Sequence, residues 1–297
     1  MGATSALLAV AIALAQAAAG APAAHTREFW RQIADAKYAP PPGADLAALT
    51  GELTGLLASP DPELRDEIAY STLAAWIYQQ RRLDGPATGT LAGALIRNLQ
   101  ADVGSVGSDA VLRRSFSALT LSVVAARDNV EPVLTDAGYR ELLDAALTYL
   151  AAERDVRGYD ETRGWMHSAA HTADLLKFLG RNRRLAPADA PRILDAIARK
   201  LGSSPVLTFG EDERFARAAL SIVNRSDFDR EAFAAWAAKS KPLPVRAARP
   251  TIAQLNGAQN LKNFFAKLEV LLGLDATPSD AARAARDAVR AALADAY

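Results

Sequence analysis

Two of the three histidines in the chain, His167 and His171, stand four residues apart, with Asp174 three residues further on. On a helix that spacing puts two imidazoles and a carboxylate along one edge over two turns. Free imidazole titrates at a pH of about 6.5, so the group can exchange protons under ordinary conditions. Both rings can also ligate a divalent metal, with the carboxylate as a third ligand or as the acceptor that orients one ring. The HExxH pattern is absent, because Ser168, Ala169 and Ala170 fill the intervening positions and supply no glutamate base. Ligand binding or acid–base use therefore stands ahead of metal at His167, His171 and Asp174, and a divalent cofactor is an unfavoured alternative. A polar stripe that only bonds the preceding loop and a neighbouring helix is the plainest competing expectation.

These residues need a helix to align them. A helix over 162–179, with His167 at zero on a wheel of ~100° per residue, puts His171 near ~40°, Asp174 near ~340° and Phe178 near ~20°. Trp165, Leu175, Leu176 and Leu179, with Ala169 and Thr172, centre on the other side, so the stripe points away from the apolar seam. The segment before it mixes Arg154, Arg157 and Arg163 with Glu153, Asp155, Asp160 and Glu161. It can fold over a groove as an anion-contacting lid or lie as a solvated loop with internal salt bridges.

The rest of the chain reads as scaffold. Apolar residues at helical spacing, punctuated by Pro, Gly and capping residues, predict helices near 26–38, 45–58, 61–83, 84–101, 109–127, 135–153, 187–201, 211–223, 229–240, 252–272 and 278–296. No alternating strand pattern competes. Second helices begin near 61, 108, 162, 210 and 252, a spacing of roughly 40 to 55 residues, around that of two-helix repeats. The expected fold is all-α, a HEAT/armadillo-like α-solenoid of about five antiparallel helix pairs, with an α/α-toroid or irregular helical bundle as the alternative. Aligning Leu64, Leu112, Trp165 and Phe215 makes Asp66, Arg114, His167 and Arg217 equivalent, followed one turn on by Tyr70, Ala118 and His171. Such a row on successive inner helices suits a groove-binding site. Glu211 to Arg214 reads instead as charge complementing a helix dipole.

Composition narrows the classes further. The 34 basic and 34 acidic residues balance and form no basic run, which argues against a nucleic-acid partner. Without cysteine there is no disulfide, thiolate catalysis or cysteine metal site. Ala6 to Ala15 is an uncharged apolar run followed by small residues, as in a secretory signal, although no Lys or Arg precedes it. It is too short for a comfortable membrane span, so no stable membrane insertion is expected after its removal. Residues 1–23 are thus expected to be a signal peptide and 24–297 a single all-helical domain, periplasmic or secreted. His25 falls at the cleavage region and is discounted.

Several blocks look familiar: RDEIAYSTLAAWI from Arg65, RRSFSALTLSVV from Arg113, ERDVRGYDETRGWMHSAAHTADLL from Glu153 and EDERFA from Glu211. Over most of the chain beyond the signal they resemble the bacterial domain of unknown function 2785 family. The most specific stretch comprises Arg157, Gly158, Tyr159, Gly164, Trp165, His167, His171, Ala173 and Asp174. The family brings no established activity, so the resemblance implies a shared site more than a reaction. The apparent signal departs from what typical members would carry.

The resulting expectation is an exported protein that binds a small molecule or peptide in a concave groove. Its candidate residues are His167, His171, Asp174, Trp165, Arg157, Tyr159, Asp66, Arg114 and Arg217. A hydrolase or lyase using the histidine pair, with or without a divalent metal, is the first alternative, and a protein–protein scaffold the second. Export is directly testable: the mature protein secreted by its native host should have a mass corresponding to a start at Gly20 or Ala24, and an intact Met1 in that material would overturn it.

Overall fold

A computed structural model of the chain describes residues 25–242 and 249–294. The expected signal segment, residues 1–23, lies outside the described residues. The chain divides into two compact units, Met1–Pro41 and Pro42–Tyr297. In the first, helix α1 (Arg27–Asp35) opens where the Thr26 hydroxyl accepts the Phe29 amide, and it buries Trp30 and Ile33. None of the described helices is long and apolar enough to cross a membrane.

The second unit is built of helices α2 (Leu46–Leu56), α3 (63–79), α4 (Gly85–Asn98), α5 (Ala110–Val130), α6 (Asp136–Ala152), α7 (Ser168–Arg181), α8 (Asp189–Ser203), α9 (Glu211–Val223), α10 (Arg230–Ser240), α11 (Ile252–Gly273) and α12 (Asp280–Ala294). Asp45, Asp84, Thr135, Asp229 and Thr251 cap their helices by accepting backbone amides, and Gln254 completes a capping box with Thr251. Helix α5 packs on α3 and α7, α7 on α9, and α9 on α11, so alternate helices in sequence are neighbours in space. Helix α5 is buried around much of its circumference, with Leu112, Phe116, Leu121 and Val124 inaccessible.

The all-α expectation holds but for one hairpin. Strands β1 (Tyr159–Asp160) and β2 (Gly164–Trp165) pair antiparallel, Tyr159 opposite Trp165. Two residues per strand are too few for alternation to register in a sequence. The hairpin also shortens the helix expected over 162–179, since α7 begins only at Ser168.

Helix α3 is wound in an uncommon way. Glu63–Tyr70 and Ala75–Gln79 carry i→i+5 hydrogen bonds, with α-helix between them over Ser71–Ala74. In an unbroken α-helix each four-residue step advances ~40°, so Tyr78 would lie ~120° round from Asp66. At the ~4.4 residues per turn of π winding, the same step falls back by ~30°. The alternation therefore holds Asp66, Tyr70, Ala74 and Tyr78 in one straight stripe, and all four line the same cavity.

A buried ion pair anchors the hairpin segment. The Arg114 Nε donates to Glu153 Oε2 at 2.6 Å and its Nη2 to Oε1 at 3.1 Å, with neither side chain appreciably exposed. Arg114 also donates to the carbonyls of Ala101 and Asp102, while Glu153 accepts from the Tyr149 hydroxyl and the Asp155 amide. Arg114, expected in a ligand groove, is thus wholly engaged inside the protein. Removing one partner strands the other charge without solvent, which typically costs about 3–5 kcal/mol. Arg114→Met and Glu153→Gln should each lower the urea unfolding free energy by roughly that amount. A double replacement by Met should cost clearly less than the two single changes added together.

Candidate functional site

Three elements place the histidines. Arg65, on α3 and buried, donates through Nη2 to the carbonyls of Arg163 (2.5 Å) and Trp165 (3.3 Å), holding the second hairpin strand from below. The Met166 amide donates to the Gly158 carbonyl and the His167 amide to that of Arg157. Gly158 is needed there: a Cβ would lie 2.1 Å from the Phe209 ring, so its absence lets Phe209 close against the segment. Between hairpin and helix, His167 takes a left-handed conformation, φ 46° and ψ 35°. Such a backbone at a non-glycine residue costs about 1–3 kcal/mol and persists only where its surroundings enforce it. His167 is therefore not part of the α7 stripe. It reaches the site from a strained turn, one step ahead of the helix that carries His171 and Asp174.

The rings converge on a cavity of about 880 Å³ between α3, α5, α7 and the loop before α9. His167 stacks on Trp165 with centroids 4.2 Å apart and meets His171 edge-on at 5.7 Å. The Ser115 hydroxyl donates its single proton to the Met166 carbonyl, so at 2.8 Å it accepts from His171 Nδ1. That fixes the His171 tautomer and leaves Nε2 unprotonated, an acceptor with no hydrogen-bond partner among the described residues. His167 Nε2 is buried and unpartnered too, 4.0 Å from Glu211 Oε1. Glu211 is itself 1% exposed, with Oε2 accepting the Phe209 amide.

Burial dominates the titration of these groups. It lowers His167 to about 4, assisted by the Arg214 charge and opposed by the Phe209 backbone. It lowers His171 well below the ordinary value, with His167 and Arg214 adding to it. The Glu211 and Asp66 carboxyls are raised, in each case chiefly by desolvation. Both imidazoles are thus neutral at pH 7 and act as hydrogen-bonding groups rather than cations.

Of the expected site residues, Asp66, Trp165, His167, His171 and Asp174 border the cavity. Asp174 does not orient an imidazole; it is ion-paired with Lys177 and Arg214. Arg157 is bound to Asp155 and to the Ser108 carbonyl, and Tyr159 rests edge-on against Trp165 outside the lining. Arg217 is half exposed and pairs with Glu213, one turn back on its own helix. Arg163 pairs with Asp109, so the arginines at 157 and 163 are spent on internal pairs. Trp165, expected in the apolar seam, is 40% exposed at the cavity mouth because the hairpin has replaced helix there. No cluster of three or more His, Asp or Glu side chains among the described residues is arranged to hold a metal. Asp174 turns to Arg214 and Lys177, while the Ser115 contact at Nδ1 leaves Nε2 of His171 open.

Spacing alone missed Tyr78, Phe209, Glu211 and Arg214. Glu211 and Arg214 lie in the acidic helix start taken as dipole complement, and only the EDERFA block hinted at more. The class defined by fold and site is an all-α protein with a histidine- and aromatic-lined cavity. The chain belongs to a family of proteins of unknown function, DUF2785, whose model matches residues 99–270, more than half its length. No curated protein matches the chain, and no solved structure does.

The depressed histidines give a pH dependence of definite sign. The folded pKa of His167 lies below its unfolded value of about 6.5, so as pH falls the unfolded chain takes up the proton first. Stability present above pH 6.5 is then lost down to about pH 4, by an amount on the order of 3 kcal/mol for this ring, with His171 acting in the same direction. The raised carboxyls of Asp66 and Glu211 act oppositely, so the comparison is with His167→Gln. Unfolding free energy measured from pH 7 to 4.5 should fall less steeply in the variant than in the parent.

Proposed function

We propose that this protein binds a small molecule in the cavity between α3, α5 and α7, through neutral imidazole and carboxylate acceptors set among aromatic walls. The observation that carries the reading is the pair of neutral histidines bordering a cavity of about 880 Å³, His171 with a fixed free acceptor and His167 with a buried nitrogen that no protein group satisfies. Cavities that take compact ligands run from about 300 to 1,000 Å³ and combine apolar walls with a few placed polar groups. Successive packing of α3, α5, α7, α9 and α11 supports treating the helix pairs as a HEAT-like stack with its site on the inner helices. A merely structural role for the histidines would have both rings fully bonded to the surrounding protein.

Strain at His167, together with the Glu211 carboxyl 4.0 Å from its ring, supports a second reading as a hydrolase or lyase working by proton transfer. One experiment addresses both. The natively purified protein is analysed by mass for co-purifying molecules, and a chemically diverse panel is screened by thermal shift against the parent, His171→Ala and Glu211→Gln. A compound at ~100 times its Kd stabilises by about 2.7 kcal/mol, and that shift should be lost in His171→Ala. If nothing co-purifies and nothing shifts the parent, the binding reading fails. Conversion of the bound compound by the parent and not by Glu211→Gln would move the assignment to the enzyme.

A further inference from the structure

Three large aromatic side chains at this cavity are left exposed: Tyr78 at 44%, Trp165 at 40% and Phe209 at 46%. Two of them, Trp165 and Phe209, meet edge to face at 6.0 Å, and Tyr70 and Phe178 continue the apolar lining inward. Among exposed large apolar side chains, a group gathered around one opening is the kind of patch that marks a contact surface.

Between these rings the unsatisfied groups are mostly acceptors. The Asp66 carboxylate has no hydrogen-bond or ion-pair partner among the described residues, and neither does the Tyr70 hydroxyl. His171 Nε2 is an acceptor because Ser115 holds the ring proton at Nδ1. An ionised carboxylate offers two oxygens side by side and no donor. A ligand satisfying this set must bring several O–H or N–H donors, at least two of them adjacent.

Charge decides which donors. Asp174 is neutralised by Lys177 and Arg214, both of which also border the cavity. Asp66 is followed by no free cation in the lining, but Arg65 precedes it in the chain, and the Arg65 guanidinium donates to backbone carbonyls and lies over the Phe116 ring without pairing to a carboxylate. The Arg65 charge is felt at Asp66, and that of Arg214 at both imidazoles. An ammonium would face Arg214 and Lys177, and an anion would face Asp66 and Asp174. Neither sign is favoured, which leaves neutral donors, namely hydroxyls.

The geometry points to a neutral polyhydroxylated ligand, a sugar ring or glycoside, whose C–H face lies on the aromatic rim and whose adjacent hydroxyls donate to Asp66 and His171. This rests on the binding reading above and specifies its ligand class. Aromatic rings supply large contact area to such an apolar face, and the carboxylate supplies charge-assisted hydrogen bonds to the hydroxyl edge.

The test uses the full-length mature protein and equilibrium titration, read by calorimetry and tryptophan emission. The probes are a set of neutral mono- and disaccharides (glucose, galactose, N-acetylglucosamine, maltose, cellobiose, lactose), with choline and citrate as charged counterparts. Saturable binding of at least one sugar is expected, with no response to choline or citrate. Asp66→Asn and Trp165→Ala should each weaken that sugar at least tenfold; Arg217→Ala, on the exposed face of α9, should not. His171→Gln, which keeps a polar group if His171→Ala proves unfolded, should weaken it as well. Binding of choline or citrate alone would overturn the ligand class while leaving the cavity a binding site. No sugar binding by a folded protein that still retains a co-purifying non-carbohydrate molecule would overturn it likewise. Sugar binding indifferent to Asp66→Asn and Trp165→Ala would place the site elsewhere and overturn the assignment.

Discussion

Two buried guanidinium groups hold the histidine-bearing segment in place, and most of the candidate site's geometry depends on them. Arg114 grips Glu153 at the end of α6, while Arg65 grips the carbonyls of Arg163 and Trp165 on the hairpin. The left-handed backbone at His167 follows two residues after the second of those points. Arginine suits the task because its rigid fork of donors can satisfy several acceptors at once without being able to lose its charge. Both clamps reach across long intervals of sequence, 98 to 100 residues from Arg65 on α3 and 39 from Arg114 on α5, so the site forms only when the helices have packed.

What the clamps enforce is a left-handed turn at His167 and a closed environment for two neutral rings. Strain at one residue and desolvation of several titratable groups oppose folding locally, and the surrounding core of α5 and α7 offsets both. The outcome is a set of acceptors held in fixed positions along the cavity. On the other wall, the mixed winding of α3 keeps Asp66, Tyr70 and Tyr78 in register along the cavity, at the expense of the more favourable α-helical hydrogen bonding.

Several features were legible from residue types alone. Capping residues and apolar periodicity located nearly every helix, because those signals act within a few residues of the chain. The spacing of His171 and Asp174, and the equivalence that linked Asp66 to His167 and Tyr70 to His171, pointed to residues that do border one cavity. The same alignment brought in Arg114 and Arg217, which do not. Position on the successively packed helices α3, α5, α7 and α9 is shared by all of them, but whether a long cation meets solvent or a buried carboxylate is set by distant partners. Glu153 engages Arg114 across 39 residues, and no local pattern encodes that.

The sequence by itself determined the all-α class, the order of the helices and the segment in which two of the three histidines gather, since helix propensity, capping and periodicity are local properties. Tertiary structure decided that His167 leaves the helix, that Asp174 serves Arg214 rather than an imidazole, and that Glu211 is buried beside His167. Those outcomes turn on desolvation and on hydrogen bonds between residues far apart in the chain. Both acquire their values only when packing has excluded water and brought the partners within reach.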